Sequence, residues 1–84
     1  MSDALAWRCR RGLLELDLWL GGFLDAHRAT LLPGEVAALE RLLGLSDMDL
    51  LDRLQGRSPA GDAGLAALIE RLQEYRAATL LESQ

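Results

Sequence analysis

The sequence predicts an all-α protein, a small single-domain antiparallel bundle of five helices. Three observations carry that expectation. Leu and Ala dominate an 84-residue chain that is half hydrophobic, and β-branched residues are confined to Thr30, Val36, Ile69 and Thr79. That balance favours helix over strand. Apolar residues also recur at helical spacing through each long segment, and short stretches rich in Gly, Pro or Ser separate those segments.

Taken in order, Ala4 to Arg10 reads as a helix of two turns with Leu5 and Trp7 as its apolar contacts. A second helix is expected from Gly12 or Leu13 to about Ala29. At about 100° per residue, Leu13, Leu16, Leu20, Leu24 and His27 form its core-facing stripe, with Trp19 and Phe23 along the edge. Gly21 and Gly22 lie in its middle, where each costs about 1 kcal/mol relative to Ala, so they signal a kink or a close contact. Pro33 restricts Leu32 to extended backbone and suits the first position of a third helix. Val36, Leu39, Leu42 and Leu43 give that helix its apolar stripe, and Gly44 its end.

Ser46 is a good N-cap for a fourth helix, whose early Asp47 and Asp49 complement the helix dipole. Met48, Leu50, Leu51 and Leu54 are expected to point inward, and Gly56 to stop the helix. Residues 57–61 (Arg-Ser-Pro-Ala-Gly) form the clearest loop. Asp62 then caps a last helix carrying Leu65, Leu68, Ile69, Leu72 and either Tyr75 or Arg76 on its buried side. The folded core is expected over about residues 4–79, with Glu82, Ser83 and Gln84 frayed.

Composition excludes several function classes. The net charge of −4 disfavours nucleic acid and anionic membranes as partners. A single cysteine, Cys9, permits no internal disulfide, and with His27 as the one histidine no Cys- or His-built metal site is available. No signal peptide and no apolar run of about 20 residues is present, so a soluble cytoplasmic protein is expected. All nine basic residues are Arg, which reads first as coding bias.

Candidate chemistry is sparse. Cys9 and His27 lack a third orienting group, so they read as packed residues and not as a nucleophile and base. Glu15 and Asp17, two apart on a helix, point in different directions and cannot share acid–base work. No glycine-rich phosphate loop is present. Residues 42–54 resemble a helix-turn-helix only superficially, because Asp47 and Asp49 would face phosphates. No enzyme activity is expected.

The most distinctive run is Trp7 to Asp17, where Arg8, Arg10 and Arg11 lead into Gly12 and an apolar segment holding Glu15. As plain punctuation, Gly12 would be the left-handed end of a first helix and the arginines would complement that helix's dipole. The helical projection favours a second reading. Away from the core stripe, Leu14, Leu18, Gly22 and Ala26 surround Glu15, and Arg11 joins them if the helix extends back. An exposed Arg11–Glu15 pair would be worth only about 0.3–0.5 kcal/mol, too little for a stability device. It makes better sense as the polar centre of an apolar docking patch, with Gly22 and Ala26 admitting a partner's backbone.

The run Arg11-Gly12-Leu13-Leu14-Glu15 is similar to the RGxxE motif of the SdhE family, the small FAD assembly factors of succinate dehydrogenase. Trp7, Arg10 and Asp17 match the motif's flanks, and Phe23 fits a later aromatic position. The resemblance covers about Leu5 to Arg76 and implies a five-helix bundle. It further implies a chaperone that docks on the immature flavoprotein subunit of succinate dehydrogenase, often also of fumarate reductase, and promotes covalent attachment of FAD. The partner-binding residues implied are Trp7, Arg10, Arg11, Gly12, Glu15 and Asp17. FAD would belong to the client, with no cofactor held stably by this chain, and a monomer is expected. Two positions depart from the pattern: Ala4 where a basic residue is common, and Arg53 where a Trp is usual. An antitoxin-like role or a general helical adaptor are the rival readings.

Overall fold

A computed structural model describes residues 4–82, and Ser83 and Gln84, where fraying was expected, lie outside them. Those residues form five α-helices: α1 (Ala4–Arg8), α2 (Leu14–His27), α3 (Pro33–Leu43), α4 (Asp47–Leu54) and α5 (Ala63–Glu82). A single 3₁₀ turn, Arg28–Thr30, follows α2. The all-α bundle expected from composition is therefore the fold observed.

The helix ends follow the local chemistry. Pro33 opens α3, and the Glu35 side chain reaches back to accept the Leu32 N–H at 2.9 Å. Ser46 Oγ accepts the Asp49 N–H at 3.2 Å and starts α4. That helix ends in a Schellman turn at Gly56, φ +78°, where the Arg57 N–H returns to the Asp52 carbonyl at 2.8 Å. Asp62 caps α5 by accepting the Leu65 N–H at 2.9 Å.

Leucines make up most of the core, with Phe23 as its largest fully buried side chain. α5 lies against α2, α3 and α4 and supplies Leu65, Leu68, Ile69 and Leu72. From α2 come Leu16, Trp19, Leu20, Phe23 and Leu24. The buried side of α2 is thus rotated toward Trp19 and Phe23 relative to the expected stripe. Leu13 drops out of that stripe because the helix begins one residue later, leaving Leu13 as its exposed N-cap.

Two further expectations are corrected. Met48 is 64% exposed, because Leu50 and Leu54 define the inward side of α4 and Met48 projects well away from it. Trp7 is 71% exposed and is no apolar contact of α1. Leu5 packs against the core as expected, and Ala6 and the fully buried Cys9 take the place given to Trp7.

Candidate docking site

The turn from Cys9 to Leu13 joins α1 to α2 and carries the arginine–glycine pair. Gly12 has φ +87°, a left-handed conformation that costs an L-residue about 1–2 kcal/mol. It is exposed, and nothing lies within 4 Å of where a Cβ would stand. The positive φ is not a helix C-cap, since α1 ends at Arg8, four residues earlier. It bends the turn so that two successive amides face one carboxylate. Asp17 accepts the Arg11 N–H at 2.6 Å and the Gly12 N–H at 3.2 Å.

Arg11 does not pair with Glu15, because it lies in the turn before α2 begins. Its side chain, 14% exposed, points to the corner between α3 and α4. Nη1 donates to the Leu43 carbonyl at 2.9 Å, Nη2 to the Leu45 carbonyl, and Nε to the Asp47 carboxylate.

Arg11 thereby completes the end of α3. A helix leaves its last four carbonyls without intrahelical donors. Here the Gly44 and Leu45 amides take the Arg41 and Leu42 carbonyls, at 3.2 and 3.0 Å. Arg8 reaches the Glu40 carbonyl at 3.3 Å, and Arg11 takes that of Leu43. The basic run therefore neutralises the negative end of α3, not that of its own helix α1. Arg10 differs: it is exposed, with its guanidinium 5.8 Å from the Trp7 ring centre.

Glu15 is exposed at the start of α2 and pairs across to α5, accepting from Arg76 Nη2 at 3.0 Å. The Arg76 guanidinium also lies 4.7 Å over the Trp19 ring, whose Nε1 donates to the Leu72 carbonyl at 2.9 Å. Around this pair an open groove of about 500 Å³ runs between α2 and α5. Leu14 and Leu18 line one wall and Thr79 and Leu80 the other. Leu14 is 74% and Leu18 65% exposed, so the apolar side expected opposite the core is uncovered.

Gly22 does not belong to that open side. A Cβ there would collide with the Tyr75 hydroxyl, so Gly22 admits a neighbour within the fold and not a partner's backbone. Tyr75 in turn meets Phe23 edge-on at 5.9 Å and His27 at 6.0 Å.

The six residues singled out by sequence thus fall into three groups. Arg11, Gly12 and Asp17 form one locked turn, Trp7 and Arg10 an exposed stacked pair, and Glu15 faces the groove. Sequence reasoning missed Asp47, Arg76 and Leu80. Arg76 had a signal, its place at the end of the α5 apolar stripe. Asp47 had none beyond its value as a helix-start residue.

The profile of the family described as flavinator of succinate dehydrogenase matches residues 3–76. A relative from Methylococcus capsulatus, FAD assembly factor SdhE, is 41% identical over 69 residues, covering 82% of this chain and 83% of its own. Its namesake from Ralstonia nicotianae is 38% identical over 74 residues, covering 87% and 78%. One from Aliivibrio fischeri is 31% identical over 74 residues, covering 88% and 86%. No solved structure matches the chain. With a family profile spanning most of its length and relatives aligned along most of theirs, the chain belongs to the flavinator of succinate dehydrogenase family, the FAD assembly factors.

Proposed function

We propose that this chain docks on the immature flavoprotein subunit of succinate dehydrogenase and promotes covalent attachment of FAD to it. Fumarate reductase is the second client class. The observation that carries the docking face is the uncovered side of α2, where Leu14 and Leu18 stand exposed around Glu15 beside the Gly12 turn. Exposed leucines flanking a single ion pair suit a transient protein interface: the apolar area supplies affinity and the charges supply register. Trp7 with Arg10 adds an exposed aromatic–cation pair of the kind enriched at interface centres.

Each group has a role in this reading. Gly12 lets the client approach the turn, Glu15 and Arg76 orient it, and Leu14, Leu18 and Leu80 are covered by it. FAD is the client's own cofactor, and this chain holds the client in a competent geometry without supplying bond-making groups. The acids of the motif support that division, since Asp17 is engaged by two backbone amides and Glu15 by Arg76. The protein acts as a monomer in the cytoplasm and binds no nucleic acid. No helix among the described residues is long and apolar enough to cross a membrane.

The test is flavin fluorescence of the denatured flavoprotein subunit from cells with and without this gene. Covalent flavin should fall without it and return with the wild-type chain. Glu15→Ala should restore much less, while its folding stability falls by no more than the loss of one exposed ion pair, about 0.2–1 kcal/mol. Full restoration by Glu15→Ala would remove Glu15 from the docking face.

A further inference from the structure

We propose that Asp47, on α4 and outside the arginine–glycine motif, is a positioning residue of the docking face. It acts through Arg11 to hold the turn that presents Gly12. This inference rests on the docking reading above and names a residue that the reading does not contain.

The reasoning begins with how the turn is anchored. Cys9 and Leu16 are fully buried, but Arg10, Gly12, Leu13, Leu14 and Glu15 between them are all exposed. Arg11 is the one residue of this stretch that is not exposed, its side chain 14% accessible. Hydrophobic packing therefore cannot fix the path of the backbone from residue 10 to residue 15. Polar contacts must, and they come in two sets. Asp17 holds the Arg11 and Gly12 amides from the α2 side. The Arg11 fork holds the same residue from the other side, on the Leu43 and Leu45 carbonyls and the Asp47 carboxylate.

Only one member of that second set is a side chain. The two carbonyls belong to the α3–α4 corner and offer only partial negative charge. Asp47 supplies the counter-charge that lets a guanidinium rest there largely removed from water. Without it the desolvated cation is left facing two carbonyls alone, and the arm returns to solvent. Asp17 would then hold the turn from one side, and Gly12 would sample orientations that a client cannot meet. A rigid recognition turn loses less freedom on binding than a mobile one, so the anchor acts on affinity. The planar fork also explains why lysine would not serve: one ammonium cannot span a carboxylate and two carbonyls in that arrangement.

The experiment has two readouts. The first is hydrogen exchange at the Arg11 and Gly12 amides in the isolated protein, compared with the Leu68 amide in α5. Asp47→Asn and Arg11→Lys should each speed exchange at residues 11 and 12 by about tenfold, the scale of one lost charge-assisted hydrogen bond, with Leu68 little changed. Asp47→Glu should recover most of the protection. Unchanged exchange at residues 11 and 12 would overturn the proposal.

The second readout is the Kd for the purified apo flavoprotein subunit of succinate dehydrogenase. It should weaken about tenfold in Asp47→Asn and recover in Asp47→Glu. Ile69→Val, a core variant that lowers stability without touching the turn, should leave the Kd unchanged. Equal weakening by Ile69→Val would mean that Asp47 matters only for stability and would also overturn the proposal. Gly12→Arg separates the two layers. If it binds the client as well as wild type, the docking reading has failed, and the exchange data alone then decide whether Asp47 anchors the turn.

Discussion

At Gly12 two demands meet on one residue: a left-handed backbone and an uncluttered surface. They can be separated by substitution. Gly12→Ala should cost about 1–2 kcal/mol in chemical denaturation, because alanine pays the left-handed penalty while meeting no steric obstacle in the fold. Gly12→Asn should cost less, since asparagine tolerates that conformation. If the client approaches closely here, Gly12→Arg should abolish capture of the flavoprotein subunit while circular dichroism still reports a folded bundle, and Gly12→Asn should retain part of it. A Gly12→Arg protein that is merely unfolded would assign this glycine to architecture alone. Arg11 makes the complementary point. Its motif neighbours Gly12 and Glu15 are exposed, whereas its own side chain is spent inside the molecule on the end of α3.

On α2 the paired glycines have different reasons to exist. Gly22 is where Tyr75 of α5 approaches, and an added methyl group would collide with its hydroxyl. Gly21, next to it, meets nothing within 4 Å. Gly21→Ala should therefore raise stability by about 1 kcal/mol, the helix-propensity gain of alanine over glycine. Gly22→Ala should not. Its propensity gain is offset by pushing Tyr75 off the edge of Phe23, a contact worth about 0.5–1.5 kcal/mol, and by the repacking that follows. Thermal melts of the two variants check this, and equal stabilisation by both would contradict the packing of Tyr75 on α2. On α4, Arg53 donates to the Ala60 carbonyl at 2.6 Å. It ties the 57–61 loop back to the helix with a hydrogen bond.

Across the whole molecule, charge holds the helices at their ends while leucines hold them along their lengths. The Leu32 N–H, then Arg71, hold the Glu35 carboxyl below its ordinary pKa of 4.5. The Leu65 N–H, then Arg41, do the same for Asp62 below 3.8. A carboxyl depressed by folding favours the native state wherever it is ionised in both states. Its contribution is complete above the ordinary pKa and disappears as pH falls through the lower folded value. Denaturation midpoints should thus show no loss from these two groups between pH 7 and about pH 5, then a decline toward pH 3. Glu35→Gln and Asp62→Asn should each flatten that decline. A fall already present at pH 6 would require another titrating group.

Leucine spacing, Pro33, Ser46, Gly56 and Asp62 made the helices and most of their ends readable from sequence, because those signals act over a single turn of chain. The exposed Leu14 and Leu18 around Glu15 were readable for the same reason, since a helix puts residues three and four apart on one side whatever surrounds it. Local periodicity was silent about where Arg11 points, why Gly22 is a glycine and which residue answers Glu15. Their partners Asp47, Tyr75 and Arg76 stand on other helices, with Asp47 36 residues from Arg11 and Arg76 61 from Glu15. Such pairings depend on how helices turn and lean on one another, and that is settled by close packing of side chains from distant parts of the chain.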